Sequence, residues 1–255
     1  MKLIVGNWKM FPSDPREAKD IFQRIKKGTK GKTRARVVIC APALYVATLV
    51  GQISTSKVFV GGQNTFTEDE GARTGETSPK ALYSCGATYV ILGHSERRAL
   101  GESNEFIAAK AIAAARNKLI TVLCVGEKAR DEHGEYFGEV SAQLRASLAG
   151  FPRNGAKQLV IAYEPIWAIG ANAKRAATPA DFREMSILIR RYLTEYFGKK
   201  DAFAIPILYG GSVDDRNAEG FLHEGGADGL LVGRISLDVE RFSSIIHIAH
   251  NIKKS

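Results

Sequence analysis

The sequence predicts an α/β fold in which eight parallel strands, each followed by a helical segment, close into a single (β/α)8 barrel. Short runs rich in Val, Ile and Leu alternate with longer stretches of helical spacing along all 255 residues. The strand runs are almost continuously apolar, as parallel strands covered on both faces must be. Eight such units favour closure over an open doubly wound sheet, because closure removes both edge strands.

The chain offers no place at which to divide it into two domains. It has no composition shift, low-complexity tract or linker, so residues 1–255 are predicted to form one barrel domain. Hydrophobic residues make up 45% of the chain and charged residues 25%, which is enough apolar mass for a sizeable core.

The strand candidates recur along the chain, with helix candidates between them. In order, the strand candidates are 2–8, 35–41, 57–62, 88–93, 119–126, 158–164, 204–211 and 227–233. The clearest helix candidates are 14–27, 104–118 and 179–197. The last has a full set of start signals: Thr178 can cap it, Pro179 suits the first helical position and Asp181 falls in the first turn.

Four polar side chains follow predicted strands at the end where barrel enzymes carry their chemistry. Asn7 and Lys9 follow the first strand, His94 the fourth and Glu164 the sixth. A carboxylate, an imidazole and an ammonium group at one rim suit proton abstraction next to a carbonyl group. Glu164 would be the base, and His94 and Lys9 would stabilise the enediolate.

The residues beside His94 and Glu164 add two expectations. Ser95 is predicted to cap a short helix after His94, and a helix N-terminus beside the imidazole disfavours its protonation. Glu164 directly precedes an apolar segment, 165–178, that resembles a flap able to close over the site and exclude water.

Glycine-rich strand ends predict a phosphate site. Gly170, the Gly-Gly-Ser that ends at Ser212, and the Gly233-Arg234 pair all offer backbone N–H groups at the same rim. Loops after the seventh and eighth strands of such barrels commonly bind phosphate through these groups. A phosphorylated substrate also suits the formal net charge of +9.

The remaining sequence features point away from cofactors and membranes. No metal-binding motif and no nucleotide-binding glycine motif occurs, so neither a metal nor a cofactor is expected. The three cysteines lack paired spacing, which favours reduced thiols and a cytosolic setting. No apolar run is long enough for a signal peptide or a membrane span. The basic run 24–36 lacks interleaved aromatic residues and is read as a solvated helix end rather than a nucleic-acid site.

Seven motifs, in order along the chain, resemble those of the triosephosphate isomerase family: GNWKM, TGETS, ILGHSERR, CVGE, AYEPIWAIG, YGGSV and DGLLVG. The resemblance covers essentially the whole chain. It implies a TIM barrel that interconverts dihydroxyacetone phosphate and D-glyceraldehyde 3-phosphate, without a cofactor, as a cytoplasmic homodimer in glycolysis and gluconeogenesis.

The resemblance also implies roles for individual residues. Glu164 is the base, His94 the electrophile, and Lys9 and Asn7 bind substrate. The phosphate-binding positions are Gly170, Ser212, Gly233 and Arg234, and the supporting positions are Glu96, Cys124 and Tyr209. A loop tip at Thr74, Gly75 and Glu76 would enter the partner subunit, where Glu76 would meet Arg97.

This chain departs from the family pattern twice. The flap reads IGANAKRAAT, about two residues longer than usual, so contacts from Tyr209 and Ser212 to its tip are not assigned. Arg234 stands where the family often has a second glycine. Two alternatives stay open: another phosphosugar aldose–ketose isomerase on the same barrel, and a non-catalytic barrel that binds nucleic acid through 24–36.

Overall fold

Eight parallel strands form a closed barrel in which each strand pairs with its neighbours in chain order, and the last pairs with the first. The computed structural model describes residues 1–29, 33–53, 58–170, 173 and 175–252. The strands are β1 (Leu3–Asn7), β2 (Arg36–Cys40), β3 (Val58–Gly62), β4 (Tyr89–Leu92), β5 (Ile120–Val125), β6 (Leu159–Tyr163), β7 (Ile207–Tyr209) and β8 (Gly229–Val232). The predicted fold class is confirmed, and every strand lies within its predicted run. Lys57, the first residue of the third run, lies outside the described residues.

Helices connect the strands on the outside of the barrel. They are α1 (Pro15–Thr29), α2 (Ala43–Val50), α3 (Pro79–Ser84), α4 (Ser95–Ala99), α5 (Asn104–Arg116), α6 (Glu135–Ser147), α7 (Pro179–Phe197), α8 (Lys199–Ala202), α9 (Ala218–His223) and α10 (Val239–Asn251). Short 3₁₀ turns occupy Ala156–Gln158, Ile166–Ala168 and Arg234–Leu237. The predicted start of α7 is confirmed: Thr178 Oγ1 accepts from the Asp181 N–H, and Asp181 accepts from the Thr178 N–H.

The core has two layers because successive side chains of a strand point to opposite faces. Inside the barrel lies a small cluster of strand residues that includes Val5, Val38 and Cys124. Between strands and helices lies a larger cluster, to which α1 contributes Phe22 and Ile25. Each such buried aliphatic or aromatic side chain stabilises the fold by roughly 1.5–3 kcal/mol. This packing fixes the strand ends that carry the polar loops.

The basic run 24–36 covers the end of α1 and the start of β2, and positions 30–32 lie outside the described residues. Arg34 donates from its backbone N–H to His250 Nδ1 at 2.9 Å and from its guanidinium to the His250 carbonyl at 3.1 Å. These contacts join the run to the end of α10. In the described ranges, no helix has the length and apolar character needed to cross a membrane.

Candidate active site

The parallel register brings the ends of β1, β4 and β6 to one rim of the barrel. Asn7 is the last residue of β1, His94 follows β4 by two residues and Glu164 directly follows β6. The Glu164 N–H donates to the Val125 carbonyl at 2.8 Å, so the backbone of Glu164 still belongs to the hydrogen-bonded barrel. Its side chain therefore starts from a rigid element rather than from a loop.

Glu164 and His94 contact each other directly. His94 Nε2 lies 3.2 Å from Glu164 Oε1, and the other carboxylate oxygen accepts from the Ser95 N–H at 2.9 Å. Both side chains are buried, with Glu164 only 2% exposed. A buried carboxylate needs donors for both oxygens, and this one has them. The structure thus brings together the two residues that the sequence nominated from different strands.

His94, and not Ser95, caps α4, so the cap predicted at Ser95 is wrong. The His94 Nδ1 atom accepts from the Glu96 N–H at 3.2 Å, and Ser95 is the first residue of the helix. The imidazole accepts the hydrogen bond that a serine hydroxyl was expected to accept. An imidazole that accepts at Nδ1 keeps its proton on Nε2, so the N–H points toward Glu164.

Lys9 completes the polar rim from the side of β1. Its Nζ atom forms an ion pair with Glu96, and its backbone N–H donates to Asn7 Oδ1 at 3.0 Å. Lys9 adopts φ = 54°, the left-handed region that side chains other than glycine enter only at a cost. Such strain is typical of functional positions. A carboxylate, a neutral imidazole N–H and an ammonium group together can accept a proton and stabilise an oxyanion.

The glycine-rich loops lie at the same rim. Among the described residues, no carbonyl or side chain accepts a hydrogen bond from the N–H of Gly170, Ser212, Gly233 or Arg234. Ser212 Oγ donates to the Ala168 carbonyl at 3.3 Å, which joins the loop after β7 to the root of the flap. A Cβ built on Gly233 would lie 3.7 Å from Lys9 Cε, so the loop after β8 adjoins Lys9.

Cys124 and Tyr209 pack beneath this rim. Cys124 is fully buried inside the barrel, and burial, followed by the nearby Glu164 carboxylate, raises the pKa of its thiol well above the usual range. Tyr209 is buried, stacks on Phe221 at a centroid distance of 3.6 Å and meets the edge of Phe182. Both side chains support the site from below.

A buried carboxylate that the sequence analysis overlooked organises the flap root. Glu127 Oε1 accepts from the Tyr163 hydroxyl and the Trp167 indole, each at 2.7 Å, and from Arg130 Nε at 3.2 Å. Burial, and then the Glu127 charge, raise the pKa of the Tyr163 phenol. Glu127 follows β5 by two residues, as His94 follows β4, and that shared position is the signal that could have identified it.

The far end of the flap is anchored through Asp181. Arg175 forms a two-pronged ion pair with this carboxylate at 2.7 and 2.8 Å, and the guanidinium lies 4.5 Å from the centroid of the Trp167 ring. Arg130 also pairs with Asp181, at 3.0 Å. Both ends of the flap are thus tied to one cluster. Ala171, Asn172 and Lys174 of the predicted flap 165–178 lie outside the described residues.

Of the four predicted dimer-contact residues, three lie at one loop tip and the fourth lies in α4. Thr74, Gly75 and Glu76 form an exposed loop tip, in which the Glu76 N–H donates to the Arg73 carbonyl at 3.0 Å. Arg97 pairs with Glu102 within the same chain. No group of three or more His, Cys, Asp and Glu side chains in the described part of the chain is arranged to hold a metal ion.

Comparisons with known proteins agree with this geometry. The family model described as triosephosphate isomerase matches residues 2–249. A triosephosphate isomerase of Moorella thermoacetica is 42% identical over 247 residues, which cover 96% of this chain and 97% of that protein. A triosephosphate isomerase of Roseiflexus sp. is 41% identical over 247 residues, which cover 96% of this chain and 96% of that protein. The crystal structure of triosephosphate isomerase from Bartonella henselae matches with a TM-score of 0.84 at 33% identity, over 97% of this chain and 98% of that one. On both sequence and architecture, this chain belongs to the triosephosphate isomerase family.

Proposed function

We propose that this chain interconverts dihydroxyacetone phosphate and D-glyceraldehyde 3-phosphate by proton transfer through an enediolate. The observation that carries the proposal is the 3.2 Å contact between His94 Nε2 and Glu164 Oε1 at the rim that also carries Lys9. A three-carbon substrate can touch a base and an oxyanion donor only if they lie this close together. In this proposal, residues 1–255 form one barrel domain.

Glu164 takes the proton from the carbon next to the carbonyl and returns it to the neighbouring carbon. In the structure its carboxylate is bound to Ser95 and His94. Substrate therefore has to replace at least one of these contacts before Glu164 reaches carbon. Until then, these two donors hold the carboxylate in one orientation.

His94 and Lys9 stabilise the oxygen on which negative charge develops. The Nε2–H of His94 is a neutral donor, because Nδ1 is committed to the Glu96 N–H. Lys9 supplies a positive charge from the loop after β1; its ammonium group pairs with Glu96, and Asn7 accepts from its backbone N–H. Donors positioned before the reaction stabilise a developing oxyanion without having to reorganise.

The phosphate group binds the backbone N–H groups of Gly170, Ser212, Gly233 and Arg234. These groups have no partner among the described residues, and they face a rim that already favours an anion. Closure of the flap over the bound phosphate excludes water, which would otherwise allow the enediolate to eliminate phosphate. No cofactor takes part in this scheme.

We also propose that two copies of the chain form a dimer. Met10 and Leu44 are 88% and 86% exposed, although both are apolar. They belong to adjoining segments, because the Tyr45 hydroxyl donates to the Pro12 carbonyl at 2.9 Å. The exposed tip at 74–76 would insert into the partner and bring Glu76 to its Arg97. Sedimentation of the wild type as a monomer would contradict this part of the proposal. Three unpaired cysteines support a reducing, cytoplasmic location.

The test is a coupled assay with D-glyceraldehyde 3-phosphate that compares wild type with Glu164→Gln. Glutamine keeps the size of the side chain but cannot accept the proton, so kcat should fall by roughly 10²–10⁴-fold or more. Glu195→Gln on the exposed face of α7 is the matched control and should retain wild-type kcat.

An inert wild type would overturn the proposal and leave the two alternatives. Turnover of other phosphosugars would then indicate a different aldose–ketose isomerase. Tight binding of RNA that weakens steeply with salt would instead indicate a nucleic-acid-binding barrel.

A further inference from the structure

We propose that the side chain of Arg234, held on the Phe11 ring, is a specificity-determining group that attracts the phosphate of the substrate. The proposal rests on the proposed function and extends it from the backbone of the loop after β8 to a side chain. The family often has glycine at this position, so the contribution would be particular to chains that carry arginine here.

Arg234 stands at the corner of the rim between β8 and β1. It is the first residue of the 3₁₀ turn Arg234–Leu237, directly after Gly233. Its guanidinium carbon lies 5.5 Å from the centroid of the Phe11 ring, and Phe11 follows Lys9 by two residues. A Cβ on Gly233 would nearly touch Lys9 Cε. The Arg234 guanidinium is therefore next to both the proposed phosphate loop and the segment that carries the Lys9 ammonium group.

The charge of Arg234 is uncompensated, unlike that of three other basic side chains close to the site or its flap. Lys9 pairs with Glu96, Arg97 with Glu102, and Arg175 with Asp181. Within the described ranges no carboxylate lies within ion-pair distance of Arg234. An exposed cation that is not neutralised by a neighbour keeps its full effect on an approaching dianion.

The Phe11 ring gives this exposed side chain a preferred position. Stacking of a guanidinium on an aromatic face is a favourable contact even at an exposed site. That is enough to favour one group of rotamers over the many that a free arginine samples. Phe11 is itself 44% exposed, and its backbone N–H donates to the Trp8 carbonyl at 3.2 Å, so the ring stands at the surface beside Arg234 on a hydrogen-bonded turn.

The experiment compares kcat/KM for D-glyceraldehyde 3-phosphate and for phosphate-free glyceraldehyde, at roughly 10 and 200 mM salt. In Arg234→Gly, kcat/KM for the phosphorylated substrate should fall roughly three- to tenfold at low salt, mainly through KM. The ratio of the two kcat/KM values should fall by the same factor, and most of the difference should vanish at high salt. If Arg234 had only a structural role, its replacement would lower kcat/KM for both substrates alike, at both salt concentrations.

Three further variants isolate the charge and its support. Arg234→Lys keeps the charge and should recover most of the loss. Phe11→Leu removes the ring and, in the wild type, should lower kcat/KM for the phosphorylated substrate by part of the Arg234→Gly loss. In an Arg234→Gly background it should lower kcat/KM no further, because the two residues act together. Lys200→Ala in α8 removes one positive charge at the opposite end of the barrel and should leave the substrate ratio unchanged.

Two results separate this inference from the proposed function. Wild type that turns over neither substrate overturns the proposed function itself. The second result is an active, salt-sensitive wild type whose kcat/KM values at low salt equal those of Arg234→Gly. This result overturns only the role of Arg234. Additive losses in the Arg234→Gly and Phe11→Leu double variant would also contradict the claim that Phe11 acts through Arg234.

Discussion

The Nε2 atom of His94 lies 3.2 Å from a carboxylate oxygen of Glu164, and both side chains are buried at the same rim of the barrel. The contact links two residues that are 70 positions apart in the chain, one after β4 and one after β6. This contact fixes the orientation of both the imidazole and the carboxylate. In the proposed function, the substrate oxygen replaces Glu164 as the acceptor of this N–H, which until then orients the carboxylate.

A His94→Gln variant tests the role of this N–H. Glutamine can still donate but cannot reproduce the direction that the Glu96 N–H imposes on the imidazole. Loss of one oxyanion donor typically lowers kcat by about 10²–10³-fold, and we expect a value in that range. Steady-state kinetics measure kcat, and thermal unfolding checks that the fold persists. A kcat within twofold of wild type, in a folded variant, would exclude a catalytic role.

Lys9 allows a separate test of transition-state stabilisation. Lys9→Ala should weaken the binding of phosphoglycolate, a mimic of the enediolate, more than the binding of substrate, because the ammonium group acts on charge that develops only during the reaction. Inhibition constants and KM values supply the two numbers. Equal losses would show that Lys9 binds the phosphorylated substrate uniformly.

The backbone of Lys9 provides the control for that experiment. Alanine retains a Cβ and so keeps the strain at φ = 54°, whereas glycine relieves it. Lys9→Gly should therefore unfold at a higher denaturant concentration than Lys9→Ala, by an amount that corresponds to about 1 kcal/mol. Both variants should lose the same activity if the ammonium group alone is responsible.

The strands could be predicted from the sequence, whereas parts of the site could not. Parallel strands covered on both faces must be apolar, so the runs that contain β1 to β8 stand out with nearly the correct bounds. The capping residue of α4 was predicted as Ser95, because serine is a preferred cap and an imidazole competes for that role only when its ring is held in place. That restraint comes from Glu164, which is distant in sequence.

The cluster at Glu127 illustrates a different limit. Its partners come from the segment after β5, the end of β6 and the flap root, and nothing in their spacing indicates that they share one oxygen. The same holds for the Arg175–Asp181 pair, which joins an unusual part of the flap to the cap of α7. Such contacts follow from the closed barrel, and the barrel has to be known first.

Asp181 should make stability depend on pH below about 4. The hydrogen bond from Arg175, assisted by Thr178 and Arg130, holds the pKa of this carboxyl well below its usual range. A carboxyl with a lowered folded-state pKa contributes stability above its unfolded pKa, and this contribution is lost as pH falls through the folded value. Asp181→Asn should therefore destabilise the protein by about 1–2 kcal/mol at pH 7, after allowance for the exposure of Arg175.

The pH dependence distinguishes this explanation from a general loss of packing. The difference in the free energy of unfolding between wild type and Asp181→Asn should be constant from pH 7 down to about 5 and should shrink below about 4. Urea denaturation at several pH values measures it. Asp20→Asn, which removes an exposed pair in α1, should show little difference at any pH. If the difference in the free energy of unfolding between wild type and Asp181→Asn stayed constant to the lowest pH, the role of the charge would be contradicted.

Gly126 controls the position of Glu164 through the backbone. A Cβ built on Gly126 would lie 1.7 Å from the Glu164 carbonyl oxygen, a distance that only movement of one chain segment can relieve. Gly126→Ala should therefore displace the root of Glu164, with a cost of about 1–3 kcal/mol or more from overpacking. For a protein of this size each kcal/mol lowers Tm by roughly 2–4 °C.

The effect on activity should exceed what the loss of stability explains. At a temperature where Gly126→Ala is fully folded, kcat should still fall by at least about tenfold, because an error of about 1 Å in the position of a catalytic group can reduce the rate by about 10²-fold. Gly138→Ala is the matched control: its Cβ meets nothing within 4 Å in α6, where alanine is favoured over glycine. That variant should keep wild-type kcat with an equal or higher Tm. If Gly126→Ala lowered Tm but left kcat unchanged, the backbone contact would serve the fold alone, and the position of Glu164 would have to be fixed by Ser95 and His94.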